Sequence, residues 1–299
     1  MSLEPQAEPP LRGYLYAAIV VSIWTGFILV SRLGGISGLT PWDTIALRYA
    51  TAAAVLLPVW YFRGRENFFT KQYLALCMVG GLAYASFAFM GFKLTLAAHA
   101  GVLLPGTQPF LIALLAWFVL KERPSKGRWA GLAVIASGLA CLAFDAVHFN
   151  PDAIEGDLLM LAASVCWASY SVLLKRWKTP AISATVAVNV LTALLFLPVY
   201  FLFLPKNIQE VPLQTVALQA IYQGVLATTV QMVLFVKTVA LIGPTRLGTL
   251  MALIPALAGL AAVPLLNEPL SPWVMTGLLL VGAGAWLSNH RFIGQHKPE

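Results

Sequence analysis

Apolar residues fill this chain in long unbroken runs, and the polar residues collect where the runs end. Ten runs stand out, at 13–31, 41–62, 73–92, 99–120, 127–144, 156–174, 182–204, 213–236, 244–266 and 273–288. A helix needs about 20 apolar residues to cross the hydrocarbon core of a bilayer, and each run meets or approaches that length. Alternation at period two is missing, which excludes a membrane β-barrel. The pattern predicts an all-α polytopic membrane protein of ten transmembrane helices, with connections too short to hold a soluble domain.

Composition agrees: 59% of residues are hydrophobic and 10% charged, with mean hydropathy +0.80, where a soluble domain carries about 25% charged residues. The net charge of +7 has a topological origin. With the N-terminus inside, the cytoplasmic segments hold Arg12, then Arg63, Arg65 and Lys71, then Lys121, Arg123, Lys126 and Arg128. Lys175, Arg176 and Lys178 follow, then Lys237, Arg291 and Lys297, and only Arg32, Lys93 and Lys206 face the other side. Positive charge collects on the cytoplasmic side, so both termini are expected there. The basic residues form no continuous stripe, and no nucleic-acid partner is expected. The leader holds Glu4, Pro5, Glu8, Pro9 and Pro10, is not basic and precedes no cleavage site, so the first run reads as a retained helix. Cys77, Cys141 and Cys166 lie inside runs without ligand spacing, read as small hydrophobes, and call for no metal or cofactor.

Two halves, 1–148 and 149–299, read as copies. Trp24 with Arg32 matches Trp167 with Lys175, an offset of 143, and Gly80 with Lys93 matches Gly224 with Lys237, an offset of 144. Pro109, Glu122, Gly131 and Gly138 match Pro255, Glu268, Gly277 and Gly284 at 146. The offset drifts only in loops, as a duplication with small insertions would. Five runs per copy is an odd number, so the second copy lies upside down relative to the first. Two inverted five-helix repeats around a central cavity characterise secondary transporters, because exchange of conformations between the halves opens one site to either side.

The stretch LLPGTQPFLIALLAWFVLKERPSKGRWAGLAVIASG at 103–138 is echoed by TLMALIPALAGLAAVPLLNEPLSPWVMTGLLLVGAG at 249–284. Both resemble the proline, apolar run, acidic residue and glycine pattern of the drug/metabolite transporter superfamily, EamA-type branch. TPWDTIALRY around Arg48 resembles that family's second span. The resemblance covers essentially the whole chain, with one departure: Pro269 follows Glu268 where Arg123 follows Glu122. It implies a ten-helix basket with a cavity lined by spans 1, 3, 4, 6, 8 and 9, and spans 5 and 10 at the periphery. It also implies a carrier of a small organic metabolite in the cell inner membrane, with export of an amino acid or related compound as the first expectation. Uptake of a vitamin or other planar metabolite is the alternative.

The phosphate loop of ATP-driven machines is absent, and every acid near a run lies at its end: Asp43, Glu122, Asp145, Asp157 and Glu268. His99, at the start of run four, is the group close to the bundle that titrates near neutral pH. Facilitated diffusion or exchange therefore fits better than tight proton coupling. Glu122 is expected to pair with Lys121, Arg123 or Lys126 at the interface, or else to gate. Arg48 lies about 10 Å along its helix from Pro41, near enough to snorkel to the outer surface. Arg246 could snorkel or offer a cation to a carboxylate substrate.

The expected substrate-binding residues are Trp24, Thr25, Tyr84, His99, Gln108, Trp167, Ser171, Thr228, Gln231 and Arg246, which combine aromatic faces with amides, hydroxyls and a cation. A Gln facing lipid would leave its amide unpaired at a cost of several kcal/mol, so Gln231 is expected to face protein or water. Pro105 and Pro109 free backbone carbonyls in run four, and such breaks can line a cavity. Two rival classes are weaker. Gly35-Ile36-Ser37-Gly38 resembles a rhomboid-type serine motif, but no base follows in a companion span. Small-residue spacings, Gly127 with Gly131 and Gly277 with Gly284, allow a non-transporting oligomeric scaffold or sensor, or a homodimer, although they more often pack helices within one bundle.

Overall fold

The computed structural model describes residues 11–62, 67–122 and 125–289. Arg63, Arg65, Arg123, Arg291 and Lys297 of the charge asymmetry lie outside them, as does the side chain of Lys126. The regular secondary structure of the described residues is entirely helical, without a strand. The helices are α1 Leu11–Ile36, α2 Pro41–Phe62, α3 Lys71–Leu94, α4 Ala97–Leu120 and α5 Lys126–His148. They continue as α6 Ile154–Trp177, α7 Ala181–Phe203, α8 Leu213–Met251, α9 Ile254–Leu266 and α10 Pro272–Asn289. The first eight of these stretches are long and apolar enough to cross a membrane, and α9 and α10 are shorter apolar helices. The chain is a multi-pass membrane protein. Large side chains such as Leu202, Phe203, Leu213 and Leu265 point outward, where lipid rather than water would surround them.

Local chemistry sets the boundaries. Thr40 and Asp43 form a reciprocal capping box at the start of α2: the Asp43 amide donates to Thr40 Oγ1 at 3.1 Å, and the Thr40 amide to Asp43 Oδ2 at 2.9 Å. Ser125 caps α5 through the Arg128 amide. Ser37 is no nucleophile held ready in a loop; its hydroxyl donates to the Leu33 carbonyl at 2.5 Å and closes α1 before Gly38 turns the chain at φ 91°.

The expected boundary between runs eight and nine is displaced. The helix continues through Lys237 to Gly243, which adopts φ 81° and ψ 159° ahead of Pro244, and resumes to Met251. Positive φ at Gly243 kinks the helix at a conformation few other residues reach. Run nine breaks instead at Ala252 and Leu253, just as α4 is interrupted at Thr107. Pro255 and Pro109, 146 apart, follow these breaks. Wide π turns at Cys77–Ala83 and Ala220–Val230 fall at matching places in α3 and α8.

The C-terminal turns of α4 and α9 are copies in detail. Lys121 and Asn267 are left-handed at φ 59° and 54°, and the amides of Glu122 and Glu268 return to Ala116 and Ala262 at 3.3 and 3.4 Å. Asparagine tolerates this conformation well, so the departure at Asn267 leaves the turn intact. Packing repeats as well: α3 lies on α6 as α8 lies on α1, and α4 on α6 as α9 on α1. Helices α5 and α10 form one extended seam. A Cβ on Gly131 would sit 2.7 Å from the Gly284 oxygen and one on Gly284 2.7 Å from the Gly131 oxygen; Gly138 and Gly277 repeat the exchange at 2.9 and 3.0 Å. The two helices therefore run antiparallel with backbones in contact, and these glycines serve an internal seam.

Candidate functional site

A cavity of about 700 Å³ occupies the centre of the bundle. Its aromatic wall is built around Trp24 and Trp167, the equivalent residues of α1 and α6, whose rings meet edge to face at 6.2 Å. Tyr84 lies 5.0 Å and Tyr170 5.2 Å from Trp167, and Phe27 lies 5.7 Å from Trp24. Phe27 is itself buried against Phe89 and Phe92 and forms the floor at one end. Such edge and tilted pairs add about 0.5–1.5 kcal/mol each beyond their buried area.

Seven of the expected residues line this cavity: Trp24, Tyr84, Gln108, Trp167, Ser171, Thr228 and Gln231. The broken helix ends contribute Pro105, Pro109 and Pro255. Three expected residues do not line it. Thr25 follows Trp24 by one position, about 100° round the helix, and its buried hydroxyl has no partner among the described residues. Arg246 is exposed beyond the Gly243 kink. His99 is fully buried elsewhere, between two carboxylates.

Sequence reasoning missed Arg48 and Asn189. Helices α2 and α7, outside the lining set that the resemblance implied, contribute Arg48, Tyr49, Thr185 and Asn189 to the wall. Arg48 does not snorkel: it is buried, its Nη1 donates to Gln223 Oε1 at 3.1 Å, and its guanidinium lies 5.5 Å from the Phe27 ring centroid and 5.9 Å from that of Tyr49. Gly224 allows this, since a Cβ there would meet the Arg48 carbonyl oxygen at 3.0 Å and Thr51 at 2.5 Å, so α8 can press Gln223 onto α2. The available signal was the charge itself, because an ionisable residue within a span is a functional candidate by default.

The two ends of the bundle differ. At one end Arg32 Nε donates to Glu268 Oε1 at 2.6 Å, and Arg32 Nη1 to the carbonyls of Phe92 and Lys93 at 3.0 and 2.9 Å. Glu268 Oε2 takes the Ala97 amide at 2.7 Å. This pair joins α1 and the α9–α10 turn to α3 and α4, and its side chains are only 12% and 8% exposed. Beside it His99 Nδ1 lies 2.9 Å from Asp157 Oδ2, while Nε2 lies 3.3 Å from Asp145 Oδ2 and makes no hydrogen bond there. Thr95 donates to Asp157, and Ser271 and Asn150 to Asp145. Tyr200 and the Asn207 amide donate to Asp43 at 2.6 and 3.0 Å.

At the other end the cavity lining runs out to Arg128, Leu174 and the exposed Ala181 and Val236. The ion pair there joins Lys175 to Glu122 at 2.7 Å, with side chains 61% and 47% exposed. Glu122 thus takes a partner from α6 rather than the neighbouring Lys121, whose backbone is committed to the left-handed turn.

A multi-pass helical bundle with a large, largely apolar central cavity, a buried ion pair toward one end and an exposed one toward the other, has the form of a membrane carrier of small molecules. The chain belongs to the EamA-like transporter family, whose model matches it twice, over residues 11–144 and 154–290. It is similar to the uncharacterized transporter YwfM of Bacillus subtilis, 25% identical over 87% of this chain and 92% of the relative. It is also similar to the threonine/homoserine exporter RhtA of Escherichia coli K12, 30% identical over 80% of this chain and 77% of the relative. A probable amino-acid metabolite efflux pump of Salmonella typhimurium is 23% identical over 94% and 95%. A crystal structure 23% identical covers 92% of this chain and 96% of its own at a TM-score of 0.64, and shares the fold.

Proposed function

We propose that the protein exports a small organic metabolite, an amino acid or related compound with an apolar or planar body, across the cell inner membrane by alternating access. Ten spans form two inverted five-helix halves, 1–148 and 149–299, with both termini cytoplasmic. The observation that carries this reading is the opposite exposure of two ion pairs at equivalent places in the halves, Arg32 with Glu268 and Lys175 with Glu122. In an inverted pair of copies the residues that seal one face correspond to residues that seal the other. Here the Arg32 end is closed and the Lys175 end, which the charge asymmetry assigns to the cytoplasm, is open. The antiparallel, reciprocal glycine contacts of α5 and α10 support the inversion. The similarity to a threonine/homoserine exporter and to a probable amino-acid metabolite efflux pump supports the substrate class and direction.

Trp24, Tyr84, Gln108, Trp167, Ser171, Thr228 and Gln231 would contact the solute, and Thr25, His99 and Arg246 would not. Counterflow in proteoliposomes tests the reading: preloaded unlabelled amino acid should drive uptake of its labelled form, saturably and without ATP. Absence of counterflow for a panel of amino acids and their metabolites would overturn it.

A further inference from the structure

Six buried side-chain nitrogen and oxygen atoms lack a hydrogen-bond partner among the described residues, and four belong to cavity-lining residues. Two are donors, Arg48 Nε and Trp24 Nε1; two are acceptors, Gln108 Oε1 and Asn189 Oδ1. The amide orientations are fixed by their surroundings. Gln108 Nε2 donates to the carbonyls of Leu104 and Ser164 at 3.1 and 3.4 Å, and Asn189 Nδ2 to the carbonyl of Thr185 at 2.7 Å, so each oxygen is the atom left over. Buried polar groups are almost always paired. A cavity wall that keeps four unpaired is shaped for a ligand.

Arg48 dominates this set. It is 9% exposed, has no acidic partner among the described residues, and faces a cavity whose lining contains Arg128 but no Asp or Glu. A guanidinium stays charged under all ordinary conditions, and burying it unpaired is costly. The rings of Phe27 and Tyr49 and the Gln223 amide oxygen hold it without neutralising it. Its Nη1 is engaged while Nε is not, and the Nε side of a guanidinium can grip a carboxylate with two parallel hydrogen bonds.

We infer that Arg48 recognises the free carboxylate of the transported solute, with the Trp24 N–H as a second unpaired donor in the same wall, while the oxygens of Gln108 and Asn189 accept from an ammonium or other N–H donor. This rests on the proposed transport function but names what the site demands: an acid group, without which the buried cation stays uncompensated. A bundle-stapling role for Arg48, through Gln223 alone, would make no distinction between an acid and its amide.

The experiment uses purified full-length protein and isothermal titration calorimetry with phenylalanine, tryptophan, threonine and homoserine, each beside its carboxamide. At least one acid should bind the wild type 10-fold or more tightly than its carboxamide. In Arg48→Gln the two should bind within about 2-fold, with the carboxamide affinity retained. A wild type without acid preference, an Arg48→Gln protein that keeps it, or a preference lost only in Arg128→Gln would each overturn the inference. Should Arg48→Gln fail to fold, phenylglyoxal modification of wild-type Arg48, read by mass spectrometry, decides the matter. The acid should protect and the carboxamide should not; equal protection by both, or by neither, overturns it. Acid-selective binding without counterflow would sink the transport reading and leave this one standing, and counterflow without acid preference would do the reverse.

Discussion

Replacing Glu268 by Gln should unseal the closed end of the bundle. The carboxylate accepts two charge-assisted bonds, from Arg32 Nε and the Ala97 amide, at 2.6 and 2.7 Å. A glutamine can accept one of them through its single oxygen and turns an NH2 group toward the other donor. Bonds to charged groups contribute about 1.5–3 kcal/mol and neutral ones about 0.5–1.5 kcal/mol, so the closed state loses about 2 kcal/mol after allowance for residual solvent screening. At 1.4 kcal/mol per factor of ten, the open population rises about 30-fold. Glu122→Gln breaks a pair exposed by 61% and 47%, of the kind contributing about 0–1 kcal/mol, and should change that population by less than about 5-fold. The probe is a single cysteine in place of Ser31, which is 1% exposed, precedes Arg32 and does not line the cavity. With Cys77, Cys141 and Cys166 replaced by Ala, its alkylation rate in detergent tracks the open population when reclosing is fast. A Glu268→Gln rate within 2-fold of the parent, or an equal rise in Glu122→Gln, would refute the gate.

Other consequences are open to direct measurement. Trp24→Ala and Trp167→Ala should each reduce counterflow more than they reduce folded protein in the membrane, and Phe at either site should restore more than Ala; parallel losses of stability and transport would mark packing residues. His99→Ala removes the hydrogen-bond partner of the buried Asp157 and should destabilise the protein by about 1–3 kcal/mol, seen as a lowered thermal transition in detergent. Gly138→Leu drives a side chain into the Gly277 backbone and should abolish a monodisperse gel-filtration peak, whereas Gly282→Ala, with its nearest neighbour at 3.4 Å, should be tolerated. Cysteine at the exposed Asp152 should react with an impermeant thiol reagent from outside intact cells and cysteine at Ser125 should not; equal reactivity would reject the inverted arrangement.

The parts of this molecule legible in the sequence are those written in one dimension. Hydropathy located the first seven helices but not the break at Ala252 and Leu253, and constant offsets paired Trp24 with Trp167 and Glu122 with Glu268. What one dimension cannot hold is the face of a helix and the partner brought from afar. Arg48 lies close enough to its helix end to have reached water; it turns inward because Gly224 lets α8 approach and deliver Gln223. His99 has the chemistry of a cavity residue, but the chain returns Asp145 and Asp157 to either side of it, and Thr95 donates to the second of these. Glu122 has three cations nearby in sequence and takes a fourth, Lys175, from the other half. Asn189 was passed over because its helix lay outside the set of spans expected to line the cavity, although a lone amide within so apolar a segment is itself a signal.

The seam between α5 and α10 has the form of a dimer interface: Gly131 meets Gly284 as Gly138 meets Gly277, each position trading places with its counterpart. Two separate copies of one five-helix chain, joined along such a seam, would have to present the same wall twice. An arginine in one copy would face an identical arginine across the axis, and a solute would meet a site that looks the same from both directions. Joined in a single chain the copies are free to differ, and they do: α2 carries Arg48, whereas α7 has no basic residue along its length. The continuous chain therefore allows the cavity a head and a tail, which the proposed grip of Arg48 on a carboxylate would require.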